Sequence, residues 1–274
     1  MLRIGRIDYA NCTPIFHALH ELYPTGDYRY VGGVPSQLNS MLADGSIDVC
    51  PSSSIAFTTR PEQYLIIPDL SISSCGPVQS VLLFSSLPIE ELDGRIVLLS
   101  SESATSVNLL KILLKQRYGC NCRFRVTAHS TLSALHEAPA LLLIGDAALR
   151  AAQVPGKAHV YDLGEIWHRW TGKPFVFGLW LTSREALALH GEELRRLALQ
   201  LHRAKTHAVA NLERIVELSA ECAWMGRESL LDYWKVLSYD LSEWHIEGLK
   251  RFFRLASEAG LIEAAPELAF LGLD

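Results

Sequence analysis

The sequence predicts an α/β protein whose mainly parallel sheets are flanked by helices, with a ligand cleft at the sheet edges. Two observations predict it. In the first half, short runs rich in Ile, Val and Leu alternate with amphipathic segments of helical spacing. That βαβ pattern closes into a parallel sheet through right-handed crossovers. The apolar runs also end repeatedly in small polar residues: Asn11 and Thr13, Ser52 to Ser54, Ser103 to Ser106, and Gly145-Asp146. In open α/β sheets, ligands bind just beyond the carboxyl ends of the strands.

Taken in order, Leu2–Ile7 reads as a strand, broken by Asp8-Tyr9-Ala10-Asn11-Cys12-Thr13-Pro14. A helix follows with Ile15, Leu19 and Leu22 on one face. Tyr28–Val31 is a second strand. VPSQLNSMLADG is a complete helix, with Pro35 in its first turn, Leu38, Met41 and Leu42 as its apolar stripe and Gly45 just past its end. Strand Ile47–Cys50 is expected to stop at Pro51. Further strands are Tyr64–Ile67, Leu70–Ser73, Val78–Phe84 and Arg95–Leu99. Helix Val107–Tyr118 points Leu110, Leu113 and Leu114 inward and stops at Gly119. Cys122–Val126 and Leu141–Ile144 are strands, the latter leading into a helix opened by Gly145-Asp146. From about Arg184 the pattern turns helical: one long helix over Glu192–Leu218, then Arg227–Leu237, then Ser242–Glu258, entered through a capping-box-like Asp240-Leu-Ser-Glu243. Pro266–Asp274 is expected to dock on the core.

Composition excludes several classes. The 274 residues are 49% hydrophobic and 20% charged, enough for one large domain or two small ones. The net charge of −5, with both signs interspersed, gives no footprint for nucleic acid. No apolar stretch reaches the ~18 residues of a membrane span, and no leader precedes the first strand, so a cytoplasmic protein is expected. Six scattered cysteines suit reduced thiols. Cys120-Asn-Cys122 near His129 lacks a zinc spacing. GxGxxG, P-loop, HExxH and GxSxG motifs are absent. No metal or cofactor is expected.

Each polar cluster alone reads as a helix cap. Four on one sheet edge point to a cleft, where helix N-termini offer free N–H groups to an anion. The aromatic stretch Trp167, Trp170, Phe175, Phe177 and Trp180 packs a core or walls a pocket.

Read together, YANCTP, LADGSIDVCPSSSIAF, SISSCGPVQSVLLFS, SESATSVNLLKILL, GDAAL and DLGEIWHRWTGKPFVFGLW occur in this order through about residue 185. In this the chain resembles the chorismate dehydratases of the futalosine route to menaquinone, more weakly toward its end. The resemblance implies a two-lobed fold like that of type 2 periplasmic binding proteins, each lobe a mainly parallel sheet flanked by helices. Lobe one would be 1–81 plus 182–274, lobe two 82–181, joined by crossing strands Val78–Phe84 and Phe175–Leu181, with the ligand cleft between. It implies a lyase removing water from chorismate, by deprotonation at C3 and loss of the C4 hydroxyl, to give 3-[(1-carboxyvinyl)oxy]benzoate. Asn11 and Ser80 match the family's catalytic positions. Neither is a base at neutral pH, so the substrate's own enolpyruvyl carboxylate is expected to take the proton, with Asp146 as the alternative base. Ser103, Thr105 and Ser106, with Ser53, Ser54, Gly145 and Asp146, are expected to hold the carboxylates. Cys12 stands where a small polar residue is usual. Two alternatives share the scaffold. One is 1,4-dihydroxy-6-naphthoate synthase, for which a histidine near Gly145-Asp146 is expected; none lies between His136 and His159. The other is a cytoplasmic, non-catalytic small-molecule binding protein.

Overall fold

A computed structural model describes residues 1–24 and 28–273. β1 (Leu2–Arg6) buries Leu2 and Ile4 and ends in a loop, 7–12, before α1 (Thr13–Leu22). Pro14 occupies the first turn of α1, which buries Ile15, Phe16, Ala18 and Leu19, while Leu22 is exposed. β2 (Tyr28–Gly32) and α2 (Pro35–Ala43) follow; Gly45 leaves α2 at φ +75°, the left-handed conformation that favours glycine.

β3 (Val49–Ser53) runs through Pro51, where a stop was expected. β1 pairs with β3 only at Ile4–Val49, so by Pro51 that edge is open and the missing N–H interrupts no ladder there. β4 (Tyr64–Ser74) is one strand, not the two expected; Asp69 at φ +54° carries the chain past Pro68, and a shifted register with a later strand spans the kink.

The second sheet is built from β5 (Val81–Ser85), β6 (Ile96–Ser100), β7 (Arg123–Thr127), β8 (Ala140–Ile144) and β9 (His159–Asp162). α3 (Ala104–Ile112) follows β6 and widens into a π turn over Leu113–Arg117 before Gly119 at φ +72°. α4 (Gly145–Ala152) follows β8, and α5 (Leu163–Thr171) follows β9. β10 (Phe175–Ser183) then enters the first sheet.

The expected long helix is α6 (Arg184–Ala210), bent at His190, and a separate α7 (Leu212–Leu218); the chain leaves helical geometry at Asn211. α8 (Cys222–Met225), α9 (Arg227–Val236), β11 (Leu237–Ser238) and α10 (Glu243–Glu258) complete the chain. The capping box at α10 is not made: the Ser242 hydroxyl pairs with His245 Nδ1 at 2.8 Å instead of a backbone N–H. The C-terminal segment docks as expected, with Leu271 buried and Phe270 bridged to Ile66 in parallel; Asp274 lies outside the described residues.

The six-stranded sheet has the order β11-β4-β10-β3-β1-β2, the five-stranded one β7-β6-β8-β5-β9. Both are parallel where βαβ units build them (β1 with β2 and β3, β6 with β7 and β8) and antiparallel elsewhere. Neither expected crossing strand joins the sheets. Among the described residues, β5 pairs only with β8 and β9, and β10 only with β3 and β4. The chain passes between sheets through 75–80 and through α5. At the far end of β1, the nearly buried Asp48 accepts from Arg3 N at 2.7 Å and Nε at 3.1 Å. Burial pushes the Asp48 pKa up, but the hydrogen bonds and charge of Arg3 outweigh it and hold it low.

Candidate active site

A cavity of about 60 Å³ lies between the two sheets. Of the nine residues expected at the site, Asn11, Ser53, Ser80, Ser103, Ser106 and Gly145 line it. Tyr9, Ser52, Ile72, Val81, Ile144 and Phe177 supply much of the remaining wall.

Asn11 sits on the loop after β1, fixed on three sides. The Ala10 N–H donates to Asp146 Oδ1 at 3.0 Å, Trp234 Nε1 donates to Ala10 O at 2.7 Å, and the Tyr239 hydroxyl donates to Asn11 O at 2.9 Å. With its backbone so held, the side chain turns inward, and its buried Oδ1 has no hydrogen-bond partner. An unmet buried acceptor costs about 1–3 kcal/mol and calls for an explanation, of which a catalytic role is one.

Ser80 ends a tight turn. Gln79, at φ +60°, takes a conformation that only a surrounding network sustains. Asp162 is that network: its carboxylate accepts from Val78 N at 3.0 Å and Gln79 N at 2.6 Å, and caps α5 through Glu165 N at 3.1 Å. Ser80 O accepts from Gly145 N at 2.7 Å, which brings the openings of β5 and α4 together. The Ser80 hydroxyl accepts from Tyr233 at 2.9 Å.

Ser103 caps α3, its Oγ accepting from Ser106 N at 3.3 Å and lying 3.1 Å from Ser106 Oγ. Thr105 was expected beside them and is not. Successive helix residues point about 100° apart, so with Ser103 and Ser106 toward the cavity, Thr105 faces away. Fully buried, it accepts from Ile55 N at 3.1 Å and pairs with Ser54 Oγ at 3.3 Å, tying α3 to the first sheet. Ser54 is thereby also removed from the cavity. Asp146 is the third departure. One residue past Gly145, its carboxylate turns to the Ala10 N–H and to an outer groove shared with Thr13, Arg150 and Glu221. Burial pushes its pKa up, against the pull of the Ala10 N–H.

Tyr9, which the sequence reading passed over, spans the sheets by donating to Glu102 at 2.7 Å. Burial and Glu102 keep its phenol protonated far above neutrality. It is the one ionisable side chain on the cavity wall among the described residues. The edge of its ring packs on Gly145, where an added Cβ would lie 2.9 Å from Tyr9 Cδ2. Gly145 is also at φ +56°. Gly145→Ala is therefore expected to cost about 1–2 kcal/mol by urea unfolding and to push Tyr9 off Glu102. Turnover by the variant should fall at least about tenfold.

Asp162, Tyr233, Trp234 and Tyr239 were also missed. Asp162-Leu-Gly-Glu165 carries a readable N-cap signal; the three aromatics carry none.

Residues 2–258 match the family model described as menaquinone biosynthesis. The chain belongs to this family. Chorismate dehydratase of Thermus thermophilus is 32% identical over 266 residues, covering 91% of this chain and 93% of that one. Among solved structures, a protein from Archaeoglobus fulgidus superposes with a TM-score of 0.75 at 18% identity, over 95% of this chain and 98% of that one. The periplasmic aliphatic sulphonate binding protein of Escherichia coli does so at 0.68 and 16%, over 96% and 94%. This member of the menaquinone biosynthesis family thus has the two-lobed fold of periplasmic binding proteins. Among its described residues, no helix is long and apolar enough to cross a membrane.

Proposed function

We propose that this chain dehydrates chorismate to 3-[(1-carboxyvinyl)oxy]benzoate. Kinship with the Thermus enzyme across nine-tenths of the chain supports the substrate. The observation that carries the mechanism is the cavity wall: Asn11 and Ser80 both line it, the Asn11 Oδ1 is unpartnered, and among the described residues no side chain on the wall is a base at neutral pH.

Chorismate is a ten-carbon diacid with one hydrogen-bond donor at neutral pH, its C4 hydroxyl. That donor matches the vacant Asn11 acceptor. The C3 hydrogen is conjugated through the ring alkene to the C1 carboxylate. Hydroxyls at Ser53, Ser103 and Ser106 and the positive dipole ends of α3 and α4 stabilise the dienolate charge that develops when it leaves. The enolpyruvyl carboxylate takes the C3 proton, the C3–H electron pair becomes the C3=C4 bond, and the C4–O bond breaks. The released proton joins the departing hydroxide as water. Enclosure between the lobes fixes the acid against C3 and excludes competing solvent.

Two lobes carry this site: the six-stranded sheet with residues 1–74 and 175–274, and the five-stranded sheet with 81–162. Phe175–Leu181 were expected in the inserted lobe; we assign them to the first because β10 pairs with β3 and β4. A cavity of about 60 Å³ holds only a few waters, so admission of a diacid requires the lobes to part.

Incubation with chorismate, without metal or cofactor, should yield the aromatic enolpyruvyl ether. No product, together with tight binding of another ligand, would favour a binding protein. Asp146→Asn keeps an acceptor for Ala10 and should retain turnover; its loss with binding intact would make Asp146 the base.

A further inference from the structure

We propose that Tyr233 is a positioning residue for the dehydration: its buried phenol commits the Ser80 hydroxyl to donate into the cavity. The inference rests on reading the cavity as the reaction site.

Tyr233 lies on α9, far in sequence from either cavity loop, and is fully buried. A serine hydroxyl has one hydrogen and two lone pairs and, left alone, rotates between donating and accepting. Here the phenol hydrogen occupies one lone pair of Ser80 Oγ at 2.9 Å. The serine's own hydrogen is left to Val78 O at 3.3 Å, well beyond the usual O–H···O length. A hydrogen held that weakly turns readily toward a ligand oxygen.

Burial raises the phenol's pKa far above neutrality, so Tyr233 keeps the hydrogen that the geometry places on Ser80 Oγ. Donation to Ser80 also polarises it, making it the stronger donor as charge gathers on the departing C4 oxygen. No proton leaves the phenol; the water is completed by the proton taken from C3.

Two neighbours extend the same device. Trp234 and Tyr239 hold the backbone carbonyls of Ala10 and Asn11. One stretch, 233–239, therefore backs both Asn11 and Ser80 and sets their spacing.

Tyr233→Phe should lower kcat for chorismate about tenfold, the scale of one hydrogen bond, with KM within about twofold and a cooperative melt retained. In a Ser80→Ala background the same change should cost less than about twofold. Equal losses in both backgrounds would mean that Tyr233 acts only through the fold, and the proposal would fall. A second measurement needs no turnover. In ligand-free Ser80→Cys protein, alkylation at position 80, followed by peptide mass spectrometry against pH, reports the thiol's pKa. Adding Tyr233→Phe should raise it, because the thiolate loses a donor; an unchanged profile would overturn the proposal. If wild-type protein leaves chorismate untouched, the functional reading falls and the thiol profile still decides the role of Tyr233.

Discussion

Asn11→Ala is expected to lower kcat for chorismate dehydration by about a hundred- to a thousandfold and to leave thermal stability unchanged or slightly raised. The two halves of this result come from the same atom. In the free protein, Asn11 Oδ1 is buried with no partner, so removing it relieves a desolvation cost of about 1–3 kcal/mol. In the complex that oxygen accepts from the C4 hydroxyl and fixes the leaving group over the ring, and losing such a positioning contact costs on the order of a hundredfold or more. Asn11→Asp should be worse than alanine, because it sets a negative charge beside a dianion. Steady-state kinetics and a melting curve on the same preparations suffice. An alanine variant that lost several degrees of melting temperature and kept its kcat would reverse both assignments.

Asp162→Ala should be the most damaging single change at the site for stability, at about 3 kcal/mol, or roughly 6–12 °C in melting temperature. It removes the cap of α5 and strands the N–H groups of Val78 and Gln79, and with them the support for Gln79 at φ +60°. Ser80 is the next residue, so turnover should fall along with stability. Asp162→Asn retains one acceptor oxygen and should lie between wild type and alanine in both measurements. A loss of stability in Asp162→Ala with kcat intact would show that the turn positions nothing that the reaction needs.

The βαβ units of the first half were legible because short apolar runs alternate there with segments whose apolar face repeats every 3.6 residues, and both sheets contain such units. The errors cluster where distant partners decide. Pro68-Asp69 reads as a break between two strands, yet pairing with β10 carries β4 through it. β9 was not foreseen: it is a short edge strand whose His159 and Val160 are exposed, so no alternation marks it. At the site, composition located the polar strand ends but not the direction of each hydroxyl. Ser103 and Ser106 face the cavity and Thr105 does not, a matter of helical phase that depends on where α3 begins. The contacts of Tyr233 and Tyr239 span 153 and 228 residues, beyond the reach of any local pattern.

The position of β10 bears on how the chain is made. It lies between β3 and β4 and pairs with both, yet it is synthesised only after the entire second sheet. From Ser74 to Phe175 is 101 residues, about 5–20 s of translation. Throughout that interval β3 and β4 have emerged with the edges meant for β10 unfilled, and unpaired strand edges invite association with other chains. The five-stranded sheet needs nothing encoded after Asp162, so on the ribosome it can close first. The six-stranded sheet closes around its last central strand afterwards, and the cavity between the two sheets is the final thing to form.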